Sequence, residues 1–237
     1  MKLDKAITLK DIEYVLPLKT WYASIFVLPI AKILILFFSK RKILTPNQIT
    51  LIAFLFRIIT AIMFLQRYFI WGSIFYYLAY VLDCVDGSVA RLTNKTSNFG
   101  RYLDHVSDLT GDIVVLISLA YSVGIPFKPL VLAMMFMHIT ENFISYLAGF
   151  ALKSKDEALD NFVLFRIFNT YRKWWFNKNF KSFLSFPDYT AFVFIVMPIL
   201  GMPQKGLFVG FYLLFIIVSY TIFSIFVSLH TKENRFP

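Results

Sequence analysis

Five of the chain's fourteen acidic residues fall within positions 83–112. Asp83 and Asp86 stand three residues apart, and Asp104 and Asp108 stand four apart. On helices, each spacing puts both carboxylates of a pair on one face. A short connection between two such helices makes them antiparallel neighbours, so all four carboxylates converge. Four carboxylates crowded at a membrane face repel one another and resist desolvation. Either several hold protons or a cation neutralises them. An all-oxygen ligand set suits a hard ion, Mg²⁺ or Mn²⁺. Two such ions would suit clamping a diphosphate and stabilising charge during displacement at phosphorus.

The residues between the acids fit this chemistry. Gly87 directly follows Asp86, Ala90 lies one turn on, and Gly100 lies one turn before Asp104. Each lets a bulky ligand approach the backbone. Arg91 supplies a fixed cation for phosphate oxygens. Acids at helix ends are often no more than solvated caps. Four acids, two glycines and an arginine within 26 residues go beyond that, because intramembrane acids usually mark function.

The elements that must position these residues are membrane helices. The 237 residues are 58% hydrophobic and only 16% charged, with mean hydropathy +0.66 and net charge +10. Soluble domains carry about a quarter charged residues. Disorder and nucleic-acid binding are both disfavoured, because the charges sit between long apolar runs. The single Cys84 excludes a disulfide framework and a Cys-based zinc site. The composition predicts an all-α polytopic membrane protein, and residues 1–19 lack the apolar core of a cleavable signal peptide. Spans are expected at about 47–66, 68–86, 102–124, 126–150, 184–202 and 205–229, each near the roughly 20 residues that a bilayer requires. The run 21–38 is apolar but holds Pro29 and Lys32. With 21–38 outside the bilayer, one set of loops carries twenty Lys/Arg and the other only Arg67, Lys128 and Lys205. This bias predicts cytoplasmic termini, and 21–38 is read as a helix lying at the cytoplasmic interface. The expected organisation is a cytoplasmic N-terminal segment (1–46), a six-helix catalytic domain (47–229) and a cytoplasmic tail (230–237).

Asp83-x2-Asp86-Gly87-x2-Ala90-Arg91-x8-Gly100-x3-Asp104-x3-Asp108 resembles the complete signature of the CDP-alcohol phosphatidyltransferases. The segment Leu44–Thr50 resembles the one that opens the first membrane helix in that family. The resemblance covers about 44–150. It implies six transmembrane helices, a cytoplasm-facing site in a cavity open to the bilayer, and a homodimer. It further implies metal binding by Asp83, Asp86, Asp104 and Asp108, with Asp108 as general base. Gly87, Arg91 and Ser97 fall where relatives contact the CDP moiety, and Asn47 lies in the segment that helps line it; Ala90 and Gly100 complete that wall. The expected reaction passes a substituted phosphate from a CDP-linked lipid or alcohol donor to an acceptor alcohol and releases CMP. The residues agree in direction, since Asp108 lies deeper along its helix, toward a membrane-side acceptor. The acceptor itself is not legible.

Other residues carry less. Asp112 continues the Asp104/Asp108 face and could orient the acceptor or pair elsewhere. His105 forms an Asp-His pair like that of the choline/ethanolamine phosphotransferase branch, against a simpler reading as an interfacial histidine. Arg57 and Glu141 lie at matching depths of about 15 Å, which predicts a bridge between them. His138, Glu141, Asn142 and Ser145 form one polar stripe at helical spacing, read as glue between helices rather than an acceptor pocket. The basic stretch 151–183 reads as an amphipathic segment on anionic headgroups, with Lys153 or Lys155 gripping an acceptor phosphate as the sharper alternative.

Two rival functions share the acids. A membrane prenyltransferase also binds a diphosphate through metals, but carries two separated Asp-rich motifs. A cation transporter would hold its acids near the bilayer midplane on broken helices.

Overall fold

The computed structural model describes residues 9–16, 19–125, 128–151, 163–181 and 183–233. Nine helices follow in order among them: α1 (Leu9–Val15), α2 (Ala23–Arg41), α3 (Pro46–Leu65), α4 (Phe69–Leu92), α5 (Asn98–Ser122), α6 (Pro129–Ala151), α7 (Val163–Asn177), α8 (Phe186–Ile199) and α9 (Pro203–Glu233). The protein is an all-α, multi-pass membrane protein.

The helix starts follow from local chemistry. Thr45 caps α3, with its hydroxyl accepting from the Gln48 N–H at 3.3 Å. The Gln48 side chain accepts from the Thr45 N–H at 2.8 Å, and Pro46 takes the first helical position, where no N–H is needed. Ser97 caps α5 by accepting from Gly100 N–H at 2.9 Å. Asn94, at φ 53°, turns the chain between α4 and α5, a left-handed conformation that Asn tolerates.

Helix boundaries differ from the expected ones at the charged segment 87–101. α4 runs to Leu92, so Asp83, Asp86, Gly87, Ala90 and Arg91 all stand on one continuous helix. Only Thr93–Ser97 connects it to α5. By length and composition, five helices are apolar enough to cross a membrane: Ala23–Arg41, Pro46–Leu65, Phe69–Leu92, Pro129–Leu147 and Pro203–Phe226. Four coincide with expected spans. α5 does not qualify, although it has 25 residues, because Arg101 and three aspartates lower its hydropathy. α8 is short and apolar, with a π-helical turn at Phe192–Val196. Pro198 lacks the N–H that would meet the Phe194 carbonyl, and Ser73 of α4 donates to that carbonyl instead, at 3.1 Å. The fifth qualifying helix, α2, is the one expected at the interface. Lys32, midway along it, pairs with Glu13 of α1.

Two apolar cores organise the bundle. The larger joins Phe64, Tyr76, Leu116, Leu119, Met134, Tyr189, Phe194, Leu207 and Leu214 from α3–α6, α8 and α9. The smaller packs Ala23, Val27, Ala31 and Ile35 of α2 on Tyr80, Val81, Val85 and Val89 of α4. α3 packs along both α4 and α5, so these three helices enclose the acidic residues.

Candidate active site

The four aspartates divide three and one. Single carboxylate oxygens of Asp83, Asp104 and Asp108 all lie within 4.8 Å of one another. Asp86, only 3% exposed, stands outside that group. Thr50 of α3 donates to its Oδ2 at 2.6 Å, and its Oδ1 accepts from the Gly87 N–H.

A cavity of about 700 Å³ lies against this cluster. Asp86 and Asp104 both line it. Asn47, Gly87, Ala90, Arg91, Ser97 and Gly100, the residues expected to contact a CDP moiety, all line it. A Cβ on Gly100 would stand 3.0 Å from Asn47 Oδ1 and 3.1 Å from Ser97 Oγ, so the bare glycine keeps this wall open. Lys95 and Arg101 add two cations to the wall. Arg91 is fixed from outside: its Nε donates to the Val15 carbonyl of α1 at 2.8 Å, and its Nη2 reaches Ser88 Oγ at 3.4 Å.

Behind the three-carboxylate cluster sits Arg57, 5% exposed on α3. Its Nη1 donates to Asp108 Oδ1 at 2.6 Å, and its Nη2 stands 3.7 Å from Asp83 Oδ1. Its Nε lies 3.4 Å from Asp112 Oδ1, an ion pair by distance without hydrogen-bond alignment. Tyr76 donates to the same Asp112 oxygen at 2.8 Å. The expected Arg57–Glu141 bridge is therefore not formed. Glu141 of α6 faces α9 and accepts from Thr221 at 3.1 Å and from Ser145 at 3.3 Å. α3 packs on α4 and α5, whereas α6 packs on α9 and α5, so the nearer carboxylates capture the guanidinium.

The remaining candidates fall outside the cavity. His105 stacks on Tyr146 with ring centroids 5.0 Å apart. His138 Nε2 meets the Tyr189 hydroxyl at 3.0 Å inside the core, and Asn142 donates to the His138 carbonyl at 3.0 Å. Lys153 and Lys155 lie outside the described residues. Beyond them, Lys178 of the basic stretch sits 3.8 Å over the Trp174 ring. A backbone bridge joins that region to the N-terminal segment, with the Lys19 N–H donating to Asn179 at 3.0 Å and the Lys181 N–H to Lys19 at 2.9 Å.

Thr50, Arg57 as a partner of the aspartates, Tyr76, Lys95 and Arg101 were not expected at the site. Thr50 sits in the segment that opens α3, where its helical position facing Asp86 was the available signal. The donor chemistry fits a hard divalent ion, since three carboxylate oxygens share one point with no nitrogen or sulfur donor among them.

A family model described as CDP-alcohol phosphatidyltransferase matches residues 43–227. Archaetidylinositol phosphate synthase of Pyrococcus horikoshii is 36% identical over 77 residues, which cover 32% of this chain and 41% of that protein. Phosphatidylinositol phosphate synthase of Corynebacterium glutamicum is 31% identical over 141 residues, covering 57% of this chain and 59% of that protein. The matched stretches thus span from under half to about three-fifths of these relatives' lengths. The crystal structure of Mycobacterium tuberculosis phosphatidylinositol phosphate synthase with CDP-DAG bound superposes with a TM-score of 0.53 at 22% identity, over 87% of this chain and 92% of that one. The same protein in complex with manganese and citrate gives 0.53 at 23% identity, over 86% and 87%. At this identity the likeness is one of fold.

Proposed function

The chain belongs to the CDP-alcohol phosphatidyltransferase family, and on that premise we propose that it transfers a phosphatidyl group from CDP-diacylglycerol to an acceptor alcohol, releasing CMP. One observation carries the reading: Asp104 of the three-carboxylate cluster lines a cavity whose wall includes the signature's Asp86, Gly87, Ala90, Arg91 and Gly100. The names of the relatives favour a phosphorylated inositol as acceptor.

In this reading Asn47, Gly87, Ala90, Ser97 and Gly100 receive the cytidine end, where a larger side chain would exclude it. Arg91, Lys95 and Arg101 neutralise phosphate oxygens along the cavity wall. Asp83, Asp86, Asp104 and Asp108 would hold divalent ions, two in number, which when bound neutralise the diphosphate and polarise the phosphorus under attack. Asp108 takes the proton from the acceptor hydroxyl. The acceptor oxygen bonds to the phosphorus distal to cytidine. The bond from that phosphorus to the bridging oxygen breaks, and CMP departs with the electron pair. Asp112 and Arg57 orient Asp108 rather than touch substrate.

The positive-inside bias supports cytoplasmic termini and a cytoplasm-facing site, and the family supports a homodimer. Domain limits at 47–229 with flanking cytoplasmic segments belong to the same proposal. An impermeant maleimide should label a cysteine introduced at Lys95, in a Cys84→Ser background, only in inside-out vesicles. Labelling in right-side-out vesicles reverses the orientation.

The enzymatic proposal is tested by CMP release from purified protein, with CDP-diacylglycerol and inositol phosphate set against CDP-choline with diacylglycerol and against a prenyl diphosphate donor. CMP should form with CDP-diacylglycerol and stop in excess EDTA. No CMP from any CDP-linked donor overturns the reading.

A further inference from the structure

We infer that Arg57 is a tethered cation of the aspartate cluster: it holds Asp83, Asp108 and Asp112 in register when no ion is bound, and it competes with divalent ions for Asp83 and Asp108. The inference rests on the metal reading above and deepens it.

The guanidinium is buried and meets carboxylates from two helices, Asp83 on α4 and Asp108 and Asp112 on α5. Two of its three partners, Asp83 and Asp108, belong to the candidate ion site. The third, Asp112, stands outside that site and is anchored on its other side by Tyr76. Arg57 therefore has one carboxylate of its own and two that it shares.

The backbone is shaped for this placement. A Cβ on Gly111 would lie 2.4 Å from Arg57 Cδ and 3.2 Å from its Cβ, so α5 carries no side chain where Arg57 crosses it. A packing role alone would be met by any apolar side chain. A guanidinium there instead counters the crowded carboxylates with a charge the chain cannot lose.

Competition follows from the same geometry. A divalent ion drawn to Asp83, Asp104 and Asp108 approaches a fixed positive charge across a few ångströms of low-dielectric interior, and that repulsion weakens its binding. Arg57 thus lowers ion affinity while keeping the ion-free protein folded. It is a positioning residue for Asp108.

The test uses the full-length protein in detergent and reads Mn²⁺ by electron paramagnetic resonance, with thermal melts in EDTA. Wild type, Arg57→Lys, Arg57→Gln and the charge-neutral pair Arg57→Gln/Asp112→Asn are compared. Arg57→Gln should bind Mn²⁺ about tenfold more tightly than wild type, with Arg57→Lys between them. Chelation should lower the melting temperature of Arg57→Gln more than that of wild type. The double variant should recover ion-free stability and keep the tighter Mn²⁺ binding. Mn²⁺ affinity equal to or weaker than wild type in both glutamine variants overturns the inference, as does aggregation of both whether or not Mn²⁺ is present. Wild-type protein that binds no Mn²⁺ overturns the metal reading itself.

Discussion

Thr50 donates a 2.6 Å hydrogen bond to Asp86 across the interface of α3 and α4, and Thr50, Asp86 and Asp104 all line the cavity. A hydroxyl bonded to a carboxylate in a buried setting contributes about 1.5–3 kcal/mol. Thr50→Val keeps the shape and removes the donor. It should raise the Mg²⁺ concentration needed for half-maximal CMP release roughly tenfold, while Thr50→Ser stays near wild type. Equal metal titrations for valine and wild type would remove Thr50 from the site.

Asp108 is the carboxylate assigned to the acceptor proton. Asp108→Asn should lower CMP release by about a hundred- to ten-thousand-fold, the range for loss of a general base. Wild-type turnover in that variant would send the proton elsewhere.

Gly111 and Gly87 both belong to the acidic segment, yet their surroundings differ. A Cβ at 111 would meet Arg57 Cδ at 2.4 Å, whereas one at 87 would meet the Arg91 guanidinium at 3.4 Å, an ordinary contact. Gly111→Ala should cost about 1–3 kcal/mol, as overpacking does, and lower the melting temperature. Gly87→Ala should leave the melting temperature near wild type. Equal melting temperatures for the two would contradict the packing around Arg57.

Glu13 ties α1 to α2 through Lys32, with Lys19 at 3.7 Å on its other side. The hydrogen bond from Lys32 holds the Glu13 carboxyl below the ordinary value for glutamate, about 4.3. A carboxylate lowered on folding stabilises the protein above that unfolded value, and the gain fades as pH falls through the folded one. The melting-temperature difference between wild type and Glu13→Gln should therefore be constant above about pH 5 and shrink below about pH 4. A difference that grows on acidification would refute the pairing.

The aspartates and the small residues beside them were legible in the sequence because they are local. Asp83 to Asp108 occupy two helices joined by five residues, so spacing alone places the carboxylates together. The partner of Arg57 was not legible. At 1.5 Å per residue, Arg57 lies about 16 Å into α3, while Asp83 and Asp108 lie about 14 and 15 Å from the near ends of their helices. Glu141 lies at about the same depth in α6, so depth could not choose among them. The choice is made by which helices pack together, and that depends on shape along their whole length. α5 was legible as a helix from the apolar run at about 102–124, although its aspartates keep its hydropathy short of a span. α2 shows the converse, since length and hydropathy suit a span while its central Lys32 pairs with the charged α1.

The bond from Arg91 to Val15 ties α1 to the cavity, although no described residue of α1 lines its wall. Trimming the first twenty residues would free the arginine to swing. A bulky tag fused beside α1 would pull on it. On the proposed function, either alteration would register as weakened donor affinity in a protein whose four clustered and cavity aspartates are untouched.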